Sequence, residues 1–417
     1  MTIVIQPGYT LPEGKYARIL HNGNSHDINA ITGPESSIDF APSNLLYGDT
    51  VDKWVPFSNL FASPASQADG TLLNITLGAD EQTITDTASG NDHSLLFDRP
   101  DAATDQNVFA VLVETKTAYG IRLRLRDDPN LAARIIFDFV NETTITVGSG
   151  VGTITRIKAD QYLCVYYPPP PVAGITGYAI DLVDNNYDPD FLGDETHSVR
   201  VLAKYESTGS ATLQFSTLGP KPATALALAA HNLGSSGTQL AVQYLPVGSG
   251  VWTTLADFTP LDNSPIMVLF AETVAADWRL VLTGGLLPSI GVLKLGNALV
   301  MERPFYSGAS PAVMNRNTSV LGNLSGSGDL LGRSVRRSTL SGSYSWSNLT
   351  YDWVRANLDG KLGLIQSVEQ EPLFVAWRPS VTQDVDYIME ANVGKPSAQG
   401  TRNLWSFELS GEAHSYE

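Results

Sequence analysis

One cysteine, Cys164, occurs in 417 residues, which excludes an intrachain disulfide and any Cys-based zinc site. Charge is scarce as well: 17% of residues are charged, below the roughly 25% of an average soluble domain. Its balance is one-sided. Lys and Arg number 26 against 43 Asp and Glu, a net charge of −17. Such a chain is a poor general nucleic-acid binder, because that role needs basic patches to displace counterions. No apolar run approaches the roughly 18 residues of a membrane-spanning helix. The N-terminus, Met1 to Gly8, lacks a basic region and a long apolar stretch. No secretory signal is therefore expected, and the chain is expected in a reducing cytoplasm or released by lysis. Catalytic signatures are missing too. The six histidines, His21, His26, His93, His197, His231 and His414, show no metal-spaced pair and no nucleophile elbow accompanies them. Gly148–Gly152 has no following Lys-Ser/Thr and no helix, so it reads as a hairpin turn, not a phosphate loop.

Short strands between Gly, Pro, Asn and Ser turns are what the chain does contain. Mean hydropathy of −0.04 with 43% hydrophobic residues fits packed cores and excludes a wholly disordered chain. The length suggests about three domains at roughly 150 residues each. Phe109–Val113 is a buried apolar run. Ile121–Arg126 alternates strictly, with Arg122, Arg124 and Arg126 on one face and three aliphatics on the other. Further strands are expected at 134–140, 162–167, 178–183, 198–203, 225–230, 238–244, 265–270 and 278–282. Regular spacing of this kind predicts an all-β, multi-domain chain of β-sandwiches or jelly rolls. A short helix is expected over Asn348–Leu358, with Asn348 or Thr350 as its cap and Gly360 closing it. A weaker helix is expected near Leu131–Arg134. Beyond about residue 303 the chain turns rich in Gly, Ser and Asn. There Arg303, Arg316, Arg333, Arg336 and Arg337 outweigh Glu302 and Asp329, a local net of +3.

Several of these segments resemble modules of tailed-bacteriophage tail proteins. Asn44-Leu45-Leu46 with Trp54, then Ala229-Ala230-His231-Asn232-Leu233-Gly234, then Trp278-Arg279-Leu280, are similar to discoidin-like (galactose-binding-like) sandwiches. The segment between them resembles a carbohydrate-binding jelly roll inserted into the first. The C-terminal part, with Arg333–Arg337, Ser345-Trp346-Ser347, Pro372–Arg378 and Asn403–Leu409, resembles the tail-tube-like β-domain of siphophage distal-tail proteins. The resemblance implies residues 1–66 and 208–302 as two parts of one sandwich, 67–207 as the insert and 303–417 as a tail-assembly domain. It also implies a virion protein of the tail tip or baseplate, assembled as a ring or trimer with itself and other tail proteins.

Candidate sites follow from residue chemistry. Asp184, Asn186, Asp188, Asp190 and Glu195 place oxygens as a calcium loop does, so Ca2+ is the one cofactor to consider. Pro189 stands where that loop needs Gly, and the alternative reading is a solvated acidic turn. Arg122, Arg124 and Arg126 can hold an anionic sugar or phosphate. Alternatively they form a solvent-facing row paired with Asp127, Asp128 or Asp138. Trp54, Tyr119, Tyr187 and Trp252 can stack on sugar rings, although most such aromatics serve cores. Arg333, Arg336 and Arg337 suit contact with an acidic neighbouring subunit; the alternative reading of this Gly/Ser-rich run is an ordinary exposed loop. The expected function is a non-enzymatic tail-tip component that touches host-surface glycan. The alternatives are a free carbohydrate-binding protein and, less favoured, a tail-associated glycan-degrading enzyme.

Overall fold

The structure, a computed structural model, describes residues 3–13, 15–21, 25–32, 58–59, 70–73, 75–77, 83–87, 94–98, 108–126, 133–148, 151–167, 177–184, 186, 197–207, 210–284, 288–305, 310–324, 330–359, 363–367, 372–382, 384–400 and 403–414. The chain is all-β, built from multiple antiparallel sheets, and the longest helix among the described residues has 7 residues. It divides into two compact units, one of Pro34–Ile38 and Pro56–Ala211, the other of Met1–Gly33, Asp39–Val55 and Thr212–Glu417.

The first of these is a sandwich of a six-stranded and a seven-stranded sheet. Period-2 alternation builds its core. Ile121, Leu123 and Leu125 of the strand Gly120–Arg126 and Ile135 and Phe137 of Ala133–Asp138 point inward from one sheet. Phe109, Val111 and Val113 of Val108–Thr115 and Tyr162, Cys164 and Tyr166 of Gln161–Tyr167 meet them from the other. The Phe109 and Tyr178 rings stack at 4.3 Å across the layers. The helix expected near 131–134 is not formed where the chain is described, since Arg134 lies in the strand Ala133–Asp138. β-Branched Ile135 and Ile136 and aromatic Phe137 favour the pleated sheet there. Gly148 ends a strand of the six-stranded sheet and Val151 begins one of the seven-stranded sheet, so the glycine run joins two sheets and closes no hairpin.

The other unit contains a seven-stranded and an eight-stranded sheet. One core lies between them. Ala225, Ala227 and Met267 of the first meet Leu20, Phe374, Ala376 and Tyr387 of the second. The strand Arg18–Leu20 pairs with both Leu299–Val300 and Leu373–Ala376, so segments on either side of residue 303 share one sheet. The segments expected as two strands, 265–270 and 278–282, form one strand, Ile266–Thr283. It bends strongly: Phe270 and Trp278 would lie about 26 Å apart on a straight strand, yet their rings are 5.7 Å apart. The sheet thus curls around Trp278, which is fully buried.

On its other face the eight-stranded sheet packs Trp346, Phe407 and Leu409 against Val354 and Leu358 at the helix Tyr351–Asn357. Thr350 caps that helix, its hydroxyl accepting from the Trp353 N–H while donating to Glu302. Asn348, the other expected cap, sits at φ 62° where the strand register slips between Trp346 and Leu349. Asn tolerates that left-handed conformation better than most residues.

The Gly/Ser-rich stretch after residue 310 is a β-hairpin, not an exposed loop. Arg316–Leu324 pairs along Leu330–Thr350 from Arg316↔Leu340 to Leu324↔Leu330. The strand Leu404–Ala413 joins the second of these strands only from Leu340 onward. Residues 330–339 therefore have one strand neighbour among the described residues. They form an arm of about 30 Å at the usual rise of ~3.3 Å per residue.

Candidate functional site

The Arg122 row lies on the face of the six-stranded sheet opposite the hydrophobic core. It is not solvent-facing. Arg122 is 5% exposed and its cross-strand partner Asp181 is 0% exposed. Asp181 accepts from Arg122 Nε at 2.6 Å and Arg124 Nε at 2.9 Å, and Ser94 on the next strand donates to it at 2.5 Å. A carboxylate 59 residues from Arg122 and 57 from Arg124 in sequence thus holds the two guanidinium groups. Of the expected partners, Asp127 and Asp128 lie outside the described residues. Asp138 instead accepts the backbone N–H groups of Val140 and Asn141. The side chain of Arg126 also lies outside the described residues.

Tyr119 is 40% exposed, and its ring stands 5.9 Å from that of His197. Asp86 positions this imidazole: one carboxylate oxygen accepts the His197 backbone N–H at 2.9 Å and the other lies 3.6 Å from Nδ1. Trp54 and Tyr187 lie outside the described residues. Within the acidic loop, Asp184 accepts from the Asn186 backbone and from its side-chain amide, closing a local turn. Asp188, Asp190 and Glu195 lie outside the described residues. Among the described residues no three His, Cys, Asp or Glu side chains converge as metal ligands.

Arg333 and Arg337 occupy the arm, opposite Gly322 and Ser319, and Arg336 falls at the register shift between them. Arg316 at its base is exposed. Ahead of the arm, the buried carboxylate of Asp386 accepts the Ala312 N–H at 2.9 Å and the Tyr344 hydroxyl, tying the turn that leads into the first hairpin strand to the second strand at the root of the arm.

The His231–Gly234 motif serves architecture. His231 is 4% exposed, and its Nδ1 accepts the Leu233 N–H. Asn232 Oδ1 accepts the Ser289 N–H at 2.6 Å. Gly234 runs against the Asp262 backbone, where an added Cβ would meet Asp262 atoms at 2.3 Å. Only glycine fits that approach.

One constellation was not legible as a set. The guanidinium of Arg279 lies 4.4 Å over the Trp252 indole. Its Nε donates to Gln243 Oε1 at 2.7 Å, and Gln243 Nε2 donates to the Thr254 hydroxyl at 2.9 Å. Gln243 stands in register with both Arg279 and Thr254, so the three side chains form one row across three strands. Trp278, one residue before Arg279, faces the core; the Trp-Arg pair is therefore one inward and one outward residue.

No family model matches the chain, and neither does any curated protein. Among solved structures it is similar to a CBM32 module from Clostridium perfringens in complex with GalNAc-β-1,3-galactose, at 13% identity over 21% of this chain and 66% of that one, with a TM-score of 0.19. It is similar to a pectin-binding carbohydrate-binding module, at 13% identity over 22% of this chain and 69% of that one, also with a TM-score of 0.19. A fucolectin from striped bass (Morone saxatilis) serum follows, at 7% identity over 67% of this chain and 100% of that one, with a TM-score of 0.17. The chain also spans about a fifth of the length of the fucosidase chains it matches, 18% of the one from Ruminococcus gnavus. Likenesses this faint carry no argument about this chain's function. None of them points to a phage tail.

Proposed function

We propose that the chain is a non-enzymatic structural component that assembles with copies of itself through its hairpin arm and presents β-sandwiches to saccharide. The arm carries this reading. A two-stranded ribbon is marginal by itself in water, and an edge strand offers unpaired backbone groups to a neighbour. This one holds Arg316, Arg333, Arg336 and Arg337 against Asp329 in a chain of net −17. A positive ribbon on a negative molecule suits the acidic surface of a second copy. The resemblance of residues 303–417 to tail-tube-like domains supports placing that assembly at the tail tip or baseplate of a tailed phage, beside other tail proteins. The outward aromatic and polar groups of the sandwiches support contact with host-surface glycan, multiplied by copy number.

Light scattering on a sizing column tests the assembly. The intact chain is expected at the mass of a trimer or ring. A variant with residues 318–338 replaced by a two-residue Asn-Gly turn is expected at the mass of one shortened chain, a little below the 44.8 kDa of the intact one. An intact chain running at that single-chain mass would overturn the reading. Raising salt to 1 M should weaken the assembly, because the contact is electrostatic at its rim.

A further inference from the structure

We infer that the strand Thr253–Phe258 receives the hairpin arm of a neighbouring copy, so that each chain gives an arm on one side and takes one on the other. The inference rests on the assembly part of the proposed function and names the surface that completes it. A sheet edge is a row of backbone N–H and C=O groups without partners, and it pairs with a strand that reaches it. The seven-stranded sheet has two such edges. One, Val292–Gly296, is covered: Ser25 bridges Gly296, and the His26 N–H reaches the Leu295 carbonyl at 2.7 Å. The other, Thr253–Phe258, pairs with Gln239–Pro246 on one side and, among the described residues, with no strand on the other. It contains no Lys or Pro, the residues that commonly blunt an open edge. In the eight-stranded sheet one edge is the two-residue strand Leu299–Val300 and the other is the arm. Among the described residues the long open edges of this unit are therefore Thr253–Phe258 and the sides of the arm.

Charge makes these edges complementary. From Pro222 to Trp278 the sequence holds no Lys or Arg and carries Asp257, Asp262, Glu272 and Asp277. Asp257 lies on the receiving strand and Asp262 shortly after it, and both are exposed. The arm carries Arg316, Arg333, Arg336 and Arg337 against Asp329. Two arms side by side repel each other, and so do two acidic edges. Arm against acidic edge is the pairing left. Apolar groups match as well. Val247 and Val251 are exposed in the loop that leads into the receiving strand, and Leu321, Leu324, Leu330 and Leu331 lie toward the tip of the arm. The contact joins two different surfaces, so it is head-to-tail. A head-to-tail contact repeats about an axis until it closes, which yields a trimer or larger ring and not a two-fold dimer.

Reversing the charge of each partner tests the pairing by light scattering on the full chain. The edge variant is Thr253→Lys with Asp257→Lys. Both side chains are exposed, so its thermal stability is expected to match the parent's. The arm variant is Arg333→Glu with Arg336→Glu and Arg337→Glu. Each variant is expected to lose the assembled species and run as a single chain. One chain carrying all five substitutions is expected to regain the assembled mass, because a basic edge then meets an acidic arm. An edge variant that assembles as the parent does would overturn this receiving strand and spare the assembly reading. A five-fold variant that keeps the parent's melting behaviour yet stays a single chain would also overturn the pairing. A parent that runs as a single chain would overturn both this inference and the assembly on which it rests.

Discussion

Arg122 and Asp181 stand directly opposite each other on neighbouring strands, with 2.6 Å between Nε and the carboxylate and almost no exposure of either. A buried pair of this kind is costly to break from one side, by about 3–5 kcal/mol, because a charge remains without its partner. Asp181→Ala is therefore expected to lower the stability of the 56–211 unit by that amount. Urea unfolding checks it, and a loss below about 1 kcal/mol would show that the guanidinium finds another acceptor.

Cys164 reports on the same unit. It is fully buried in the core, and burial pushes its thiol well above the ordinary value. The thiolate is the reactive form, so labelling by a maleimide at pH 7 should be negligible in the native chain. Its rate should rise in step with the urea unfolding of this unit. Fast labelling without denaturant would contradict the packing of the strand Gln161–Tyr167.

His21, at the end of the strand Arg18–Leu20, is 2% exposed, and burial, with Lys294 adding to it, lowers its pKa to about 4. The folded state thus prefers the neutral ring. Its contribution is complete above 6.5 and is lost as pH falls toward 4, about 3 kcal/mol in all. His21→Gln should remove this dependence. Parent and variant stabilities at pH 7.5 and pH 4 provide the comparison, and parallel losses in both proteins would refute the assignment to His21.

Asp386 has the opposite sense. Burial raises its pKa above the ordinary 3.8, although Tyr344 and the Ala312 N–H favour the carboxylate. The folded state favours the protonated form, so its contribution is greatest below that value and declines as pH rises through the raised pKa. Asn keeps an acceptor for both donors without the charge. Asp386→Asn is expected to match or exceed the parent at pH 7, with the advantage gone by pH 3.5. A loss above about 2 kcal/mol at pH 7 would mean that the carboxylate itself is required at the root of the arm.

Much of the strand pattern was readable in advance. Ile121, Leu123 and Leu125 point inward and the arginines between them outward, as strict alternation requires. Thr350 caps the helix as its position suggested. The arm was harder to see. Gly332, Ser334 and Ser338 read as loop residues, yet pairing with the strand Arg316–Leu324 satisfies their backbone groups and makes the segment a ribbon. The break expected within 266–283 did not occur, and the polar Glu272 and Thr273 lie inside one continuous strand.

By itself the amino-acid order determined the all-β class and the inward or outward sense of individual side chains, because a two-residue period and turn residues are local properties. Only the tertiary structure decided which outward residues meet. Gln243 touches Arg279 and Arg122 touches Asp181 across 36 and 59 residues of sequence, through registers that no local pattern encodes. The curl that brings Phe270 against Trp278 likewise belongs to the whole sheet, because it arises where strands distant in sequence pair and bury a common core.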